Sequence, residues 1–553
     1  MNKIQKTLFT FAYAAIIGFV IIISSVPPVS RDAQTHHLAL PKIWLTESVL
    51  SVVPEMEFSY YPQLIDLLYY FPVALNFDIA AKYIHFLFAL ATAFLIFLFI
   101  RRYLNSFWGL LGGLMFLTLP LILKLSVTVY VDLGLLFFTT AALFSVIIWL
   151  EKPEKMKWLM IAGISCGLAL STKYNAMMAV TILALLFGYF YIKIHKKNTN
   201  TQLKIIKYLS IFSILTLLIF SPWAIRNTTL TGNPIYPLYD SFFSQFSENT
   251  TAETEQVLFP SNEEKMKPLT FRRLAYQENP IYSLALPLRV FYEGQDDNPK
   301  YFDGKLNPML LLFALLLLLR IKSNWRHQFF ASFVVITLLY TMFAVDMRIR
   351  YIITIVTPMI VLAVFGIHHI SQWLKGQLSL SGAKAIIAVF LAIYFAFNLS
   401  YAVNLYKKID PLPYILGEIS KDDYISNQLP YYSLNQMANE LVPQKGKLLG
   451  VYTGNRRYYL DIPHTLQSEM IFHYARNASD TNDLAQKLSN HQITHILVRV
   501  DLFNNKLSGE NEEVKSLLLN FFKNNLKLLA SKGRFSLFEM TQSFPQLKLL
   551  EET

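Results

Sequence analysis

The residues that directly follow the first apolar run combine an acid, two imidazoles and an amine. Asp32, His36, His37 and Lys42 lie within one short stretch, behind an apolar run from Leu8 to Val26. Ionisable groups are costly at a bilayer, so a dense group of them beside it indicates a function. A carboxylate such as Asp32 can accept a proton from an attacking hydroxyl, as a general base does. The structural alternatives are that Asp32 caps the helix that follows, since Asp is a favoured N-cap residue, or that it pairs with Arg31.

Positive charges at the predicted outer ends of several spans form the second signal. Short outer loops of membrane proteins are normally depleted of Lys and Arg. One exception is explained by a long side chain that reaches the interface. Several exceptions from different helices indicate a bound anion instead, and an arginine fork suits phosphate. The candidates for this phosphate site, with their adjacent tyrosines, are Lys173, Tyr174, Arg226, Arg348, Arg350 and Tyr351.

A second carboxylate, Asp132, opens the predicted fourth span on the same side as Asp32. A helix N-cap is the simpler interpretation of this residue. A second carboxylate on the same side nevertheless permits a two-acid site or a site that coordinates a cation. His36 and His37 fit a phosphate donor, a metal ligand or an interfacial side chain. Adjacent helical residues point about 100° apart, so the two imidazoles make a poor metal pair by themselves. No metal ligand is assigned, and a divalent cation stays open.

Composition indicates that most of the chain lies in lipid. The 553 residues are 54% hydrophobic and only 16% charged, whereas soluble proteins carry roughly a quarter charged residues. The net charge of +12 comes from cations clustered in short loops between apolar runs. The positive-inside rule explains that pattern, so nucleic acid is excluded as a partner. The single cysteine, Cys166, allows no disulfide within the chain.

Apolar runs of sufficient length predict a polytopic α-helical membrane protein with about eleven transmembrane helices. The predicted spans are 8–26, 79–100, 107–124, 131–150, 156–173, 176–194, 204–222, 306–321, 327–345, 350–371 and 383–405. The first run is interpreted as a retained helix, because Ser24–Pro28 makes a poor cleavage site. With the amino terminus inside, the basic loops at 101–102 and 151–157 face the cytoplasm, and the chain after about residue 406 lies outside.

The expected organisation is two domains. A transmembrane domain, 1–406, is interrupted by large outer loops at 27–78 and 223–305, and an extracytoplasmic α/β domain occupies 407–553. Tyr60–Phe71 in the first loop is short and rich in tyrosine, which is typical of an interfacial helix. The second loop is long enough to gate a substrate. The C-terminal domain shows strand patterns at 447–453, 495–500 and 535–540, and helix patterns at 433–442, 480–490 and 511–526.

In this layout the chain resembles a polyprenyl-phosphate-dependent membrane glycosyltransferase of the GT-C superfamily. Within it, the chain is most similar to the bacterial relatives of glycosyltransferase family 39, with protein O-mannosyltransferases and the lipid A aminoarabinose transferase as cousins. The residues that carry the resemblance are Arg31-Asp32 with His36-His37-Leu38 and Pro41-Lys42, Tyr130-Val131-Asp132-Leu133, Thr172-Lys173-Tyr174-Asn175, Ser221-Pro222-Trp223 with Arg226-Asn227, Gly232–Pro237, and Arg350-Tyr351. One departure is Ala33, since many relatives have Asp-Glu in the first loop.

The resemblance implies a catalytic base at Asp32 and a substrate-positioning or phosphate-site residue at Asp132. The implied donor is a sugar on a polyprenyl phosphate, and the acceptor is a hydroxyl of a glycan, a lipid or a protein. The transfer would invert the anomeric carbon at the extracytoplasmic face of the cytoplasmic (inner) membrane, in cell-envelope glycan or lipid modification. Charge grows on the leaving phosphate, which preorganised cations stabilise. The available cations are Lys42, Lys173, Arg226, Arg348 and Arg350.

Two other classes of protein remain as alternatives. A transporter or flippase of a lipid-linked saccharide predicts charges near the middle of spans and helices broken at the midplane. The predicted spans are nearly free of charge at their centres, which favours surface chemistry. An assembly protein that merely anchors its outer domain would leave the cations at the outer ends unexplained.

Overall fold

The computed structural model describes residues 1–195, 201–246, 266–317, 324–429 and 431–541. As far as these residues show, the chain divides into two units. The first unit contains Met1–Pro28, Tyr61–Tyr236 and Glu264–Glu418. The second contains Val29–Tyr60 and the C-terminal part from Ile419, together with a segment that begins at Pro237. The segment that carries Asp32 therefore belongs by its contacts to the same unit as the C-terminal domain.

Helices dominate the first 409 residues, because only a helix lets a single apolar segment satisfy its own backbone polar groups in lipid. In chain order they are α1 (Lys3–Ser24), α2 (Ala39–Ile43), α3 (Asp66–Ala74), α4 (Ala80–Tyr103), α5 (Ser106–Leu117), α6 (Pro120–Ser126), α7 (Asp132–Glu151), α8 (Met156–Thr172), α9 (Ala176–His195), α10 (Thr201–Thr231), α11 (Asp240–Phe243), α12 (Pro268–Ala275), α13 (Pro280–Leu284), α14 (Leu286–Arg289), α15 (Pro308–Leu315), α16 (Trp325–Ala344), α17 (Val356–Gln377) and α18 (Leu380–Ile409). A π-helical turn lies at Ala33–His37, and 3₁₀ turns lie at Glu57–Tyr60, Ser244–Phe246, Pro299–Tyr301 and Ile349–Ile355.

The predicted class, a polytopic helical membrane protein with a C-terminal α/β region, is confirmed. Within the described ranges, eight helices are long and apolar enough to cross a membrane, and nine if the bent pair α5 and α6 forms one span. That pair bends by 65° at Pro120, which lacks the N–H that a continuous helix needs. The predicted count of eleven is not confirmed. α8 is shorter than the spans, and part of the predicted span 306–321 lies outside the described residues.

Two glycines let α8 approach α10 closely. A Cβ on Gly163 would lie 3.0 Å from the carbonyl oxygen of Phe212, and one on Gly167 would lie 2.7 Å from that of Thr216. Spaced four residues apart, they present one smooth face, which is how small residues pack helices in membranes. This packing fixes the C-terminal end of α8, where Lys173 follows, relative to α10, which continues to Thr231 and so carries Arg226 on a helix.

The C-terminal part alternates helices and strands. Its elements are α19 (Leu412–Ile415), α20 (Lys421–Gln428), α21 (Tyr432–Leu441), β1 (Lys447–Val451), β2 (His464–Thr465), α22 (Ser468–Arg476), α23 (Thr481–Asn490), β3 (Ile493–Arg499), α24 (Val500–Ser508), α25 (Glu512–Asn524), β4 (Leu526–Lys532) and β5 (Phe535–Met540). Every strand and helix predicted here from the sequence is present, within a few residues at each end. The elements β2, β4, α19, α20, α22 and α24 were not predicted.

A mixed five-stranded sheet in the order β2-β1-β3-β5-β4 forms the centre of the second unit. β1 pairs in parallel with β2 and β3, while β5 is antiparallel to β3 and β4. Successive residues of β3 point to opposite faces. Ile496 and Val498 pack into one apolar cluster and Leu497 into another. Apolar side chains therefore cover both faces of the sheet.

Candidate functional site

A buried ion pair joins α7 to the end of α8 in the first unit. Asp132 is the first residue of α7, and its side chain is 1% exposed. Lys173 directly follows α8, and its Nζ donates to Asp132 Oδ1 at 2.8 Å. In the part of the chain that the structure describes, Asp132 Oδ2 has no hydrogen-bond partner. The carboxylate is thus an ion-pair partner rather than a helix cap, and its second oxygen has spare capacity.

Three predicted cations lie near the ring of Tyr351: Arg348 and Arg350 from its own segment, and Lys173 from the end of α8. Lys173 Nζ lies 5.8 Å from the ring centroid, and the guanidinium carbons of Arg348 and Arg350 lie at 5.6 and 5.4 Å. These distances are typical of cation–π contacts. Arg350 also lies 5.3 Å from the ring of Tyr130, two residues before Asp132. We refer to Asp132, Lys173, Arg348, Arg350 and Tyr351 as the cation cluster.

Carboxylates offset part of this positive charge. Arg348 Nε donates to Asp346 Oδ2 at 2.8 Å, and Asp303 lies 3.7 Å from Arg348. Burial alone would lower the pKa of Arg348, but the hydrogen bond to Asp346 raises it above its ordinary value. Arg348 therefore keeps its charge near neutral pH. It supplies a fixed positive field at one side of the cation cluster.

Arg226 belongs to a neighbouring network at the end of α10. Its guanidinium donates to Gln63 Oε1 at 3.2 Å and to Asn227 Oδ1 at 3.3 Å. Asn227 Nδ2 in turn donates to the hydroxyl of Tyr174 at 3.0 Å, and that hydroxyl donates to the carbonyl oxygen of Tyr236. Burial raises the pKa of Tyr174, so its hydroxyl stays protonated and remains a donor. This network of hydrogen bonds connects Tyr174, the residue after Lys173, to α10.

The start of α7 is held in place by groups that the sequence analysis did not single out. Leu133 N–H donates to His85 Nε2 at 3.0 Å, so Nδ1 of this ring carries the proton. Nδ1 faces the carbonyl oxygens of Leu125 and Thr128, each at 2.9 Å. The hydroxyl of Tyr69 donates to the carbonyl of Tyr130. An ionisable residue inside an apolar span is a functional signal in itself, and this rule would have identified His85 within α4.

The other predicted site residues, Asp32, His36, His37 and Lys42, all belong to the second unit. Asp32 precedes the π-helical turn, and its side chain makes no capping hydrogen bond in the described structure, so the N-cap interpretation does not apply. π-helical turns are frequent at functional sites. His36 stacks on Phe58 at 4.3 Å, and its Nδ1 lies 2.7 Å from Thr35 Oγ1. Among the described residues, no group of three or more His, Cys, Asp or Glu is placed to hold a metal.

The segment around Asp32 is fastened to the loop 457–465 of the same unit. Lys42 Nζ donates to the carbonyl oxygens of Tyr458 and Leu460 at 2.7 and 3.2 Å and to Asp461 Oδ1 at 2.6 Å. An ammonium has three donors, so these acceptors use them all. The structure thus gives Lys42 a structural role in this segment, and its contact with phosphate stays a prediction.

The backbone carbonyl of Gln34 and the side chain of Glu55 also fasten this segment to the C-terminal part. The backbone N–H groups of Arg457 and Tyr458 donate to the carbonyl of Gln34, both at 3.1 Å. Glu55 accepts from Arg457 Nη1 at 3.0 Å and from Thr465 Oγ1 at 2.6 Å. We refer to Gln34, Lys42, Glu55 and their partners as the clamp. It orders the backbone that carries Asp32.

Comparisons with known proteins agree with this architecture. Residues 72–225, which include Asp132 and Lys173, match the family described as dolichyl-phosphate-mannose-protein mannosyltransferase. No curated protein matches the sequence. The structure is similar to ArnT from Cupriavidus metallidurans in the apo state, with a TM-score of 0.59, 10% identity, and coverage of 97% of this chain and 98% of that chain. The same protein bound to undecaprenyl phosphate gives a TM-score of 0.57 at 11% identity over the same shares. The chain therefore contains a region that matches this mannosyltransferase family, and as a whole it shares the fold of ArnT.

Proposed function

We propose that this protein is an integral membrane glycosyltransferase that moves a sugar from a polyprenyl phosphate to an acceptor hydroxyl. The observation that carries the proposal is the cation cluster, in which Lys173, Arg348 and Arg350 meet at Tyr351 beside the buried Asp132. Such a cluster suits a phosphate whose charge grows as it leaves. A protein of the same fold has been solved with undecaprenyl phosphate bound, which supports a donor of this class.

In the proposed reaction, Asp32 takes the proton of the acceptor hydroxyl. The acceptor oxygen then forms a bond to the anomeric carbon, and the bond from that carbon to the phosphate oxygen breaks with inversion. The departing polyprenyl phosphate gains one negative charge, which Lys173, Arg350 and Arg226 stabilise. The clamp keeps the backbone that bears Asp32 ordered during this step.

We further propose that the reaction takes place at the extracytoplasmic face of the cytoplasmic membrane, in cell-envelope glycan or lipid modification. The basic loop that follows α7 supports this orientation, because Lys152, Lys155 and Lys157 fit a cytoplasmic position. Asp132 begins α7 and Glu151 ends it, so the cation cluster lies at the other end of that span. The acceptor is a hydroxyl of a glycan, a lipid or a protein.

The test uses the purified full chain in liposomes with a polyprenyl-phosphate-linked sugar and a membrane-lipid extract as acceptor. We expect release of polyprenyl phosphate coupled to a glycosylated product, detected by mass spectrometry. A parallel comparison of envelope lipids and glycans from cells with and without the protein identifies the acceptor. An unchanged profile in both experiments would contradict a transferase. Movement of the intact donor across the bilayer without transfer would indicate a flippase.

A further inference from the structure

A cavity lies in the first unit at the end of the spans far from Asp132. Its volume is about 230 Å³, and its walls are Phe99, Tyr103, Asn324, Arg326, His327, Phe330, Val361 and Phe365. A single water needs only roughly 10–15 Å³ of such space, so the cavity has room for a larger group. Arg326 pairs with Glu151, the last residue of α7. Because α7 has 20 residues at about 1.5 Å per residue, the cavity and Asp132 are separated by the length of a span.

A buried imidazole without partners faces this cavity. His327 is 9% exposed, and in the described part of the chain neither ring nitrogen has a hydrogen-bond partner. Its ring packs edge-to-face against Phe365 at 5.1 Å. A buried polar group that lacks a partner costs free energy, and each such group needs an explanation. A bound polar ligand in the cavity would supply the missing hydrogen bonds.

The polar side of the cavity is built to receive an anion. Asn324 caps α16, and Arg326 and His327 lie in its first turn. The first N–H groups of a helix lack partners within it and attract negative charge. Arg326 uses Nε to bond Glu151 at 2.8 Å, and among the described residues no hydrogen bond engages its two terminal nitrogens, so this fork can receive a ligand. Glu151 also binds Arg102 at 3.0 Å, so these three side chains carry one positive charge in excess.

The remaining walls are apolar and aromatic. Phe99, Phe330, Val361 and Phe365 come from α4, α16 and α17, all of which are long enough to cross a membrane. We propose that this cavity binds the phosphate of a membrane lipid, with the headgroup at Asn324, Arg326 and His327 and its apolar part against the aromatic walls. The guanidinium fork favours phosphate in particular. The proposal is independent of the transfer reaction, because no residue of the cation cluster takes part in it.

Native mass spectrometry of the purified full chain tests this site. The probes are phosphatidylglycerol, a diacylglycerol with the same acyl chains, and inorganic phosphate. We expect one tightly retained phosphatidylglycerol per chain and no retention of diacylglycerol. Arg326→Gln and His327→Phe should each lower the affinity roughly tenfold, the equivalent of one charge-assisted hydrogen bond.

The matched control is His368→Phe. His368 packs against Trp108 and does not line the cavity. Its affinity for phosphatidylglycerol should stay unchanged. Equal retention of diacylglycerol, or unchanged affinity in both Arg326→Gln and His327→Phe, would overturn the proposal. Inorganic phosphate that binds as tightly as the lipid would also overturn it, in favour of a soluble anion.

Discussion

The cation cluster and the clamp are both polar, yet they are built in different ways. In the cation cluster, Lys173 makes one hydrogen bond with Asp132 and otherwise faces a ring, and one oxygen of Asp132 has no partner within the described residues. In the clamp, Lys42 donates to three acceptors, and Glu55 accepts from two donors. A polar group whose hydrogen bonds are complete rigidifies its surroundings, whereas one with spare capacity is available to a ligand. The comparison supports our proposal that the cation cluster binds a ligand and that the clamp positions the segment carrying Asp32.

The largest expected effect on the transfer rate comes from substituting Asp32, whose backbone the clamp holds in place. Asp32→Asn removes the proposed base and should lower the rate of sugar transfer by about 10²- to 10⁴-fold, with donor binding retained. The measurement is single-turnover transfer together with donor affinity. Glu47→Gln, an exposed change on the same segment, should keep full activity. An Asp32→Asn protein that turns over normally would remove the catalytic role of this segment.

The next effect sharpens the role of the cation cluster. Lys173→Met should lower the transfer rate by about 10²- to 10³-fold, because a charge aimed at the leaving phosphate is lost. The variant also leaves the buried carboxylate of Asp132 without its ion-pair partner. The double change Asp132→Asn with Lys173→Met should therefore regain thermal stability but not activity. Lys408→Met, which removes a lysine that is 66% exposed in the same unit, serves as control. Equal activity of the Lys173 and Lys408 variants would contradict a phosphate-binding role.

A third change tests whether the clamp is structural. Arg457 is 4% exposed and pairs with Glu55, so Arg457→Met leaves a carboxylate uncompensated and should destabilise the second unit by about 3–5 kcal/mol. The loss of stability is measured by denaturant titration, with the rate of proteolytic cleavage within residues 29–60 as the readout of unfolding. The control is Arg534→Met, whose side chain is 70% exposed and pairs with Asp501, with an expected cost of about 0–1 kcal/mol. A Glu55→Gln/Arg457→Met double variant should recover part of the loss.

The smallest expected effect is on the stability of the second unit at acidic pH. Burial, with nearby positive charges from Arg457 and Lys42, lowers the pKa of His464 to about 4, whereas an unfolded His titrates near about 6.5. The unfolded state therefore binds more protons between these values, so the stability from a neutral His464 is complete above about pH 6.5 and is lost as pH falls towards about 4. His464→Gln should flatten the fall of the melting temperature over this window. An identical pH profile in the variant would show that another group is responsible.

Most of the architecture follows from local patterns in the sequence. The helices α4, α7, α9 and α10 and the strands β1, β3 and β5 were predicted because apolar runs and strand-like patterns are visible within a single segment. β4 was missed because its exposed lysines hide the alternation. The bend between α5 and α6 was missed because both halves are equally apolar, although Pro120 marks it.

The candidate site was predicted less completely. Cations at the predicted outer ends of spans were noticed because the positive-inside rule makes them exceptions, and three of them lie near the ring of Tyr351. His85 and Gln63 were overlooked, since their importance rests on contacts with residues far along the chain. Lys42 was predicted to contact phosphate because it is a positive charge predicted to lie beside the bilayer. The sequence does not show that it pairs with Asp461. The roles of all these residues in catalysis remain predictions.

The sequence by itself determined the class of this protein: hydropathy set the helices, and the distribution of Lys and Arg set their predicted sidedness. Both properties are local, because lipid and headgroups act on each segment separately. Only the tertiary structure decided that Lys173 and Arg350 meet at one ring, and that residues 29–60 belong with the C-terminal part. Those outcomes depend on helix packing and on hydrogen bonds between residues hundreds of positions apart, such as Lys42 and Asp461. A linear pattern does not encode such pairings.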